Sequence, residues 1–170
     1  MLVNNAVARD GGTIDVTTAE QWRATSTVNS LGLFLMCKHA SGPMLARGRG
    51  VIVNVASIYG MVGADFGIYE GTDLSSPAFY AYDKGGMITL TRHLASWLGR
   101  HGVRVNCVSP GGLSDEDQPA AFVANYERRV PLHRLAGPED IKGAVAFLAS
   151  DASQYVTGVN LPVDGGWTAI

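Results

Sequence analysis

Tyr80 and Lys84 are the residues of this 170-residue sequence whose types and spacing most directly indicate chemistry. If the segment is helical, two side chains four positions apart project from the same face. A phenol has a reference pKa of about 10 and exchanges protons poorly at neutral pH, but a neighbouring ammonium favours the phenolate. The pair could therefore act as a general acid/base near pH 7. The same spacing also fits an ordinary surface pair.

A serine and an asparagine upstream could join this pair. Ser57 ends the apolar, β-branched run 51–56, which has the length of a strand buried on both faces. The hydroxyl would then lie where open α/β sheets bind ligands, or it caps the end of the strand. Asn29 lies among apolar residues of a long helix that opens with a capping box of Thr18 and Gln21. The alternative for Asn29 is a core amide whose hydrogen bonds are satisfied locally.

The elements that must position these residues alternate along the chain. Strands are expected at 2–3, 51–56, 103–108 and 159–163, and helices at 18–46, 77–100, 119–128 and 138–148. This alternation predicts one α/β unit with a parallel sheet. We expect the first helix to weaken near residues 41–43. Ser76 is expected to cap a helix that begins at Pro77 and stops near Gly102.

Composition and charge argue against several classes of protein. The formal net charge of -2 gives no indication of nucleic-acid binding. No apolar run is long enough to span a membrane, and the first ten residues lack the pattern of a signal peptide. We therefore expect a cytoplasmic protein without nucleic-acid or membrane partners. Cys37 and Cys107 are far apart and the histidines have no ligand spacing, so we expect no metal site and two buried, reduced cysteines.

Taken in order, these motifs resemble the short-chain dehydrogenases/reductases over nearly the whole chain. The matching segments are Leu2–Ala6, Asn29, Ser57, Tyr80 with Lys84, Ser109–Gly111, Arg134–Asp140 and Val163–Gly166. The resemblance implies an α/β fold that is the C-terminal portion of a Rossmann-like, doubly wound parallel sheet. It would hold strands 4 to 7 of the family fold in a single partial domain over residues 1–170.

The same resemblance implies an NAD(P)-dependent oxidoreductase that interconverts a secondary alcohol and a ketone. Tyr80 would exchange a proton with the substrate oxygen while a hydride moves to or from nicotinamide. Lys84 would favour the phenolate and bind the nicotinamide ribose, and Ser57 would hold the substrate oxygen. Asn29 would fix a water in a proton relay from Lys84 to solvent. The residues expected to contact NAD or NADP are Asn4, Asn5, Ala6, Tyr80, Lys84, Pro110 and Gly111.

Two departures from the family pattern concern the cofactor. No Gly-rich turn joins a strand to a helix that would receive the pyrophosphate, and the residue that selects NAD or NADP is missing with it. We therefore expect a truncated chain without the first three strands of the family fold. The alternative function is a non-catalytic remnant or interaction module that cannot bind dinucleotide. In addition, Val7 replaces the glycine of the Asn-Asn-Ala-Gly motif and could crowd the ribose.

A third departure is an insertion at about residues 64–74, between Ser57 and Tyr80. It is either a substrate-facing loop or an inert surface loop. In the first case Glu70, Thr72 and Asp73 could meet a hydroxylated substrate, and the resemblance extends to family members that act on sugar-type substrates.

Association with a second copy is also expected. By the same resemblance, the helices around 20–45 and 77–100 pair with their copies in a homo-oligomer, a dimer or tetramer. The unpaired edge of the strand at 2–3 would favour association or poor solubility. The lack of a G-x-S-x-G elbow disfavours a hydrolase.

Overall fold

Four parallel strands in the order β1-β2-β3-β4 form the sheet in the computed structural model, which describes residues 1–170. The strands are β1 (Leu2–Asn4), β2 (Gly50–Val55), β3 (Val103–Pro110) and β4 (Asn160–Val163). The α-helices are α1 (Ala19–Ser26), α2 (Leu33–Arg47), α3 (Ala78–Gly99), α4 (Ala120–Arg129) and α5 (Pro138–Ala149). The predicted α/β fold with a parallel sheet is thereby confirmed.

The two central strands are buried on both faces, as their apolar, β-branched sequences indicate. Ile52 and Cys107 point toward α2 and α3 and belong to the larger core cluster. Val53 and Val108 point the other way and pack with Leu148 of α5. Successive strand residues alternate between faces, so each strand supplies both cores and its position is fixed from two sides.

A chain of buried amide and hydroxyl groups links the sheet to α3. The side chain of Asn54 on β2 is fully buried; its Oδ1 accepts a hydrogen bond from Asn4 Nδ2 at 2.8 Å. Its Nδ2 donates to Thr91 Oγ1 at 2.9 Å, and Thr91 donates to the Met87 carbonyl at 2.8 Å. No buried side-chain nitrogen or oxygen lacks a hydrogen-bond partner, so the network is buried without an unsatisfied group. It fixes β1, β2 and α3 relative to one another.

The first long helix is continuous but contains a π-helical turn. Its predicted capping box is confirmed, because the Gln21 amide donates to Thr18 Oγ1 and the Thr18 amide donates to Gln21 Oε1. The π turn, Thr27–Gly32, then joins α1 to α2. Trp22 of α1 packs edge-on against Phe79 of α3, with ring centroids 6.4 Å apart. The π turn therefore lies between a segment that contacts α3 and a segment that packs on the sheet.

Two details of the predicted helices are wrong. No weakening occurs near residues 41–43, because α2 runs through Pro43 to Arg47; burial of side chains such as Met44 against the sheet compensates for the missing amide. Helix α3 begins at Ala78 rather than at the preceding proline. Pro77 has an extended backbone (φ -68°, ψ 138°), so it is the cap residue itself. The predicted stop is confirmed, since Gly102 has a left-handed φ of 75°.

Three further findings bear on function. None of the helices combines the length and the apolar character that crossing a membrane requires. No group of three or more His, Cys, Asp or Glu side chains is placed to hold a metal ion. Cys37 and Cys107 are both buried free thiols, and burial raises the pKa of each.

Candidate active site

A cavity of about 530 Å³ lies where β1, β2 and β3 end, at the carboxyl edge of the sheet. Ser57, Tyr80 and Lys84 all line it. A larger concave region of about 870 Å³ lies at the amino ends of β2 and β3, near Gly50 and Val103. We place the site in the smaller cavity, because open α/β sheets bind ligands at the carboxyl ends of their strands.

Ser57 follows β2, where it both caps a short turn and lines the cavity. Its backbone is extended (φ -167°, ψ 157°), and its Oγ accepts a hydrogen bond from the Tyr59 amide at 3.2 Å. The residue thus caps a short 3-10 turn, Ile58–Gly60, and the side chain is only 7% exposed. Because that bond uses the oxygen as an acceptor, the hydroxyl proton stays free to donate to a ligand in the cavity.

Lys84 carries a buried ammonium that reaches across to the end of β2. It is 4% exposed, and its Nζ donates a hydrogen bond to the Val55 carbonyl at 2.6 Å. Nζ lies 5.7 Å from the centroid of the Tyr80 ring. Burial lowers the pKa of Lys84 to about 8; the nearby Arg9 acts in the same direction and Asp83 opposes it. The ammonium can therefore lose its proton at a pH near 8.

Gly60 allows the turn after Ser57 to approach α3 at Lys84. A Cβ at this position would lie 2.6 Å from the Lys84 carbonyl carbon and 2.7 Å from its oxygen. Such distances are impossible without a backbone shift, so only glycine fits this contact. Gly60 was not among the residues expected to matter, because a glycine four residues after the predicted strand 51–56 looks like any turn glycine.

Arg9 is the second cation at the cavity, and it was not among the residues expected there. Its Nη2 donates a hydrogen bond to Tyr80 Oη at 3.2 Å. Its guanidinium carbon lies 4.9 Å from the centroid of the same ring, in cation–π range. The contact joins residues 71 positions apart, so no local pattern could have indicated it.

Asn29 lies in the π turn, buried beside the cavity rather than on its wall. Its Oδ1 accepts a hydrogen bond from the Ala8 amide at 2.8 Å, and its Nδ2 donates to the Ala8 carbonyl at 3.0 Å. Nδ2 also donates to Asp83 Oδ2 at 2.9 Å, and Ser30 donates to the other oxygen of that carboxylate. The side chain thus has the local partners of a core amide. A role in a proton relay stays a prediction.

The structure brings only some of the expected cofactor contacts to the cavity. Asn5, Pro110 and Gly111 line it, together with Tyr80 and Lys84. Asn4 does not, because its side chain turns inward to Asn54, and Ala6 does not line the cavity either. Val7, which stands where the family motif has glycine, lines the wall.

The turn after β3 is held against α4 by Tyr126. The Gly112 amide donates to Tyr126 Oη at 2.6 Å. A Cβ at Gly111 would lie 2.6 Å from the same oxygen, so this turn needs glycine for its close packing. Burial raises the pKa of Tyr126. Tyr126 is therefore a neutral wall residue that shapes one side of the cavity.

The insertion faces the cavity through apolar and aromatic side chains. Within its 3-10 turn, Phe66–Tyr69, both Ile68 and Tyr69 line the cavity. Tyr69 Oη donates to Tyr59 Oη at 3.1 Å, and the Tyr69 ring stacks on Phe122 with centroids 5.8 Å apart. The stacking on Phe122 joins the loop to α4. The polar side chains expected to meet a substrate do not line the cavity: Glu70, Thr72 and Asp73.

The donors at the cavity suit one end of a nicotinamide dinucleotide. An ammonium has three N–H donors, and Lys84 uses one on the Val55 carbonyl. The other two have no acceptor in the protein and are free to donate to hydroxyl groups of a ligand, and Asn5 lines the same cavity. No Gly-rich turn within residues 1–170 joins a strand to a helix, so no comparable cradle for the pyrophosphate is present in this chain.

Known proteins that resemble this chain include dehydrogenases. The family model described as enoyl-(acyl carrier protein) reductase matches residues 1–168. The inactive 2-(S)-hydroxypropyl-CoM dehydrogenase 2 of Xanthobacter autotrophicus is 37% identical over 99% of this chain and 73% of its own length. The cis-4-hydroxycyclohexanecarboxylate dehydrogenase of Sinomonas cyclohexanicum is 36% identical over 100% of this chain and 66% of its own.

Solved structures of dehydrogenases are also similar to this chain. A short-chain dehydrogenase from Leptospira borgpetersenii with bound NAD+ is 38% identical and superposes with a TM-score of 0.91, covering 98% of this chain and 64% of that one. A gluconate 5-dehydrogenase from Burkholderia cenocepacia in complex with NADP and tartrate is 31% identical, with a TM-score of 0.89, over 99% and 65%. The chain thus spans about two thirds of the length of these relatives. With the matched motifs in the same order, it belongs to the short-chain dehydrogenase/reductase family.

Proposed function

We propose that this chain carries the catalytic half of an NAD(P)-dependent oxidoreductase that interconverts a secondary alcohol and a ketone. The observation that carries the proposal is the shared cavity of Ser57, Tyr80 and Lys84 at the carboxyl edge of the sheet. The names of relatives support it, since they include a meso-2,3-butanediol dehydrogenase from Serratia marcescens. Two of the similar structures hold NAD+ or NADP.

The side chains divide the work of proton transfer and positioning. In alcohol oxidation, Tyr80 Oη would accept the hydroxyl proton while the Ser57 hydroxyl holds the substrate oxygen beside it. Lys84 would favour the phenolate electrostatically, and its pKa of about 8 suits a group that exchanges a proton near neutral pH. Asn29 would fix a water that links Lys84 to solvent in a proton relay. A nicotinamide bound at the cavity would supply the hydride transfer.

We also propose a homo-oligomer that binds NAD or NADP. Apolar side chains on the first long helix stay about half exposed, among them Leu31 and Phe34, as does Trp97 on α3. Exposed apolar surface on two neighbouring helices supports pairing with a second copy.

A second candidate is a non-catalytic module that keeps the catalytic side chains but cannot hold a dinucleotide. Two observations favour it: the lack of a Gly-rich strand-to-helix turn, and Val7 on the wall of the cavity. Binding of the cofactor separates the two candidates, because both predict the same fold and the same arrangement of side chains.

The test combines dinucleotide titration with a matched pair of variants. Calorimetric titration with NAD, NADH, NADP and NADPH should give submillimolar binding for at least one of them. Tyr80→Phe should keep dinucleotide binding submillimolar while lowering turnover of a panel of secondary alcohols by roughly 10³-fold, within the range of general acid/base effects. Tyr82→Phe is the control, since Tyr82 lies on the same helix and is 66% exposed.

Binding weaker than millimolar for all four dinucleotides favours the non-catalytic module. The same titration on a chain extended upstream then distinguishes a cradle supplied by preceding residues from a site that has lost its function. Equal turnover in Tyr80→Phe and the unmodified chain would contradict the catalytic assignment directly.

A further inference from the structure

Arg9 presents hydrogen-bond donors to the cavity, and no carboxylate of the protein forms an ion pair with it. It lines the cavity next to Tyr80, and none of the ion pairs in the structure includes it. A guanidinium has five N–H donors in a planar fork that matches a carboxylate, and Tyr80 Oη takes one of them. The remaining donors face a space that also contains the proposed reacting groups.

The other charges of the cavity leave this cation available to an anion. Lys84 is buried and donates to the Val55 carbonyl, so its charge adds positive potential without competing for the same ligand atoms. Asp115 is the one carboxylate on the wall, and it lies beyond ion-pair distance of Arg9. An anion that enters the cavity would thus meet Arg9 unpaired.

The rest of the wall is mixed, with polar groups from Ser75, Ser114 and Gln118 beside apolar side chains. Ile58, Ile68 and Phe122 supply apolar surface. The two tyrosine hydroxyls that could bind sugar hydroxyls, those of Tyr59 and Tyr69, are hydrogen-bonded to each other. The apolar part of the wall can pack against the carbon skeleton of a small substrate.

We propose that Arg9 binds a carboxylate of the substrate, so that the substrates are small hydroxy acids and the matching oxo acids. The inference rests on the proposed oxidoreductase function and names its substrate class. Arg9 Nη2 and Tyr80 Oη are 3.2 Å apart. With ordinary hydrogen-bond lengths, a carbinol oxygen on Tyr80 and a carboxylate on Arg9 lie within roughly 9 Å of each other. A short chain or one ring spans that distance.

The experiment uses two isosteric probes that differ in charge and cannot react. The affinities of 4-fluorobenzoate and 4-fluorobenzamide for the whole chain are measured by ¹⁹F NMR, with and without NADH or NADPH. Unmodified protein should bind the benzoate at least about tenfold more tightly, the size of effect that one charge-assisted pair gives. Arg9→Gln should abolish this preference while benzamide binding stays within about twofold, and Arg9→Lys should keep part of it.

Arg100→Gln is the matched control, because it removes the same charge from an exposed site outside the cavity, and it should change neither affinity by more than about twofold. Equal affinity for the two probes, no benzoate binding up to about 50 mM, or an unchanged preference in Arg9→Gln would each overturn the proposal. The proposal would also be overturned if Arg9→Gln weakened NADH or NADPH binding as much as it weakened benzoate binding, because Arg9 would then bind the dinucleotide. If a dinucleotide binds but the preference is absent, the substrate class alone is wrong. If the preference is present but no dinucleotide binds, the oxidoreductase proposal is wrong.

Discussion

Lys84→Met removes a buried ammonium while keeping most of the volume of the side chain. The folded chain holds the pKa of Lys84 at about 8, below its ordinary 10.5, chiefly because burial disfavours the charge. That difference corresponds to roughly 3 kcal/mol by which folding disfavours the charged form. The variant also loses the hydrogen bond to the Val55 carbonyl, about 1.5 to 3 kcal/mol for a charged donor. At pH 7 the two effects nearly cancel, and we expect a change in the free energy of unfolding below about 2 kcal/mol.

The sign of the pH dependence follows from proton binding. Between pH 8 and 10.5 the unfolded chain holds the Lys84 proton and the folded chain does not, so raising the pH stabilises the folded state. The slope is at most about 1.4 kcal/mol per pH unit, and below pH 8 the penalty is fully present. Between pH 7 and 9.5, the unmodified protein should therefore gain about 2 kcal/mol relative to Lys84→Met.

Urea denaturation followed by circular dichroism at four pH values between 7 and 9.5 measures this difference. Groups that titrate far from Lys84 affect both proteins alike and cancel in the comparison. Both proteins are also compared in a Tyr80→Phe background, which removes the phenol beside the ammonium. Lys38→Met serves as the control because Lys38 is exposed, and its difference from the unmodified protein should stay constant. If the difference for Lys84→Met also stays constant within about 0.5 kcal/mol, the ammonium is not desolvated and the reasoning is refuted.

Two further predictions concern the walls of the cavity. Gly60→Ala should destabilise the chain by about 1 to 3 kcal/mol in urea denaturation, because its Cβ would overlap the Lys84 backbone. Gly63→Ala is the control, since no atom lies within 4 Å of the added carbon. It should lower the free energy of unfolding by less than about 1 kcal/mol. Tyr69→Phe removes the hydroxyl that donates to Tyr59 and should cost about 0.5 to 1.5 kcal/mol of stability. In steady-state kinetics it should raise KM more than it lowers kcat, and the reverse pattern would contradict a role in the substrate wall.

Local patterns were enough to predict most of the fold. The β-branched run before Ser57 became the central strand β2, and the capping box at Thr18 started the first helix. The spacing of Tyr80 and Lys84 placed both on one helix that reaches the cavity. Each of these signals depends on neighbours a few residues apart, which is the range over which side-chain periodicity and capping act.

The parts that could not be predicted depend on contacts between distant segments. Arg9 reaches Tyr80 only because the loop after β1 passes over α3. Asn54 is one asparagine among several, and nothing near it in sequence shows that Asn4 and Thr91 will satisfy its amide. Gly60 is similar, since its requirement for a missing Cβ is set by the backbone of a helix more than twenty residues later.

The π turn at Thr27–Gly32 has a consequence for how this helix can vary in length. A π turn holds one residue more than an α-helical turn, so deleting a single residue there would restore a regular helix with intact backbone hydrogen bonding. The two halves would then rotate relative to each other by about 100°. Trp22 would leave Phe79, or Asn29 would leave Asp83, although the helix itself would remain regular. Shortening this helix by one residue therefore preserves secondary structure and breaks tertiary contacts.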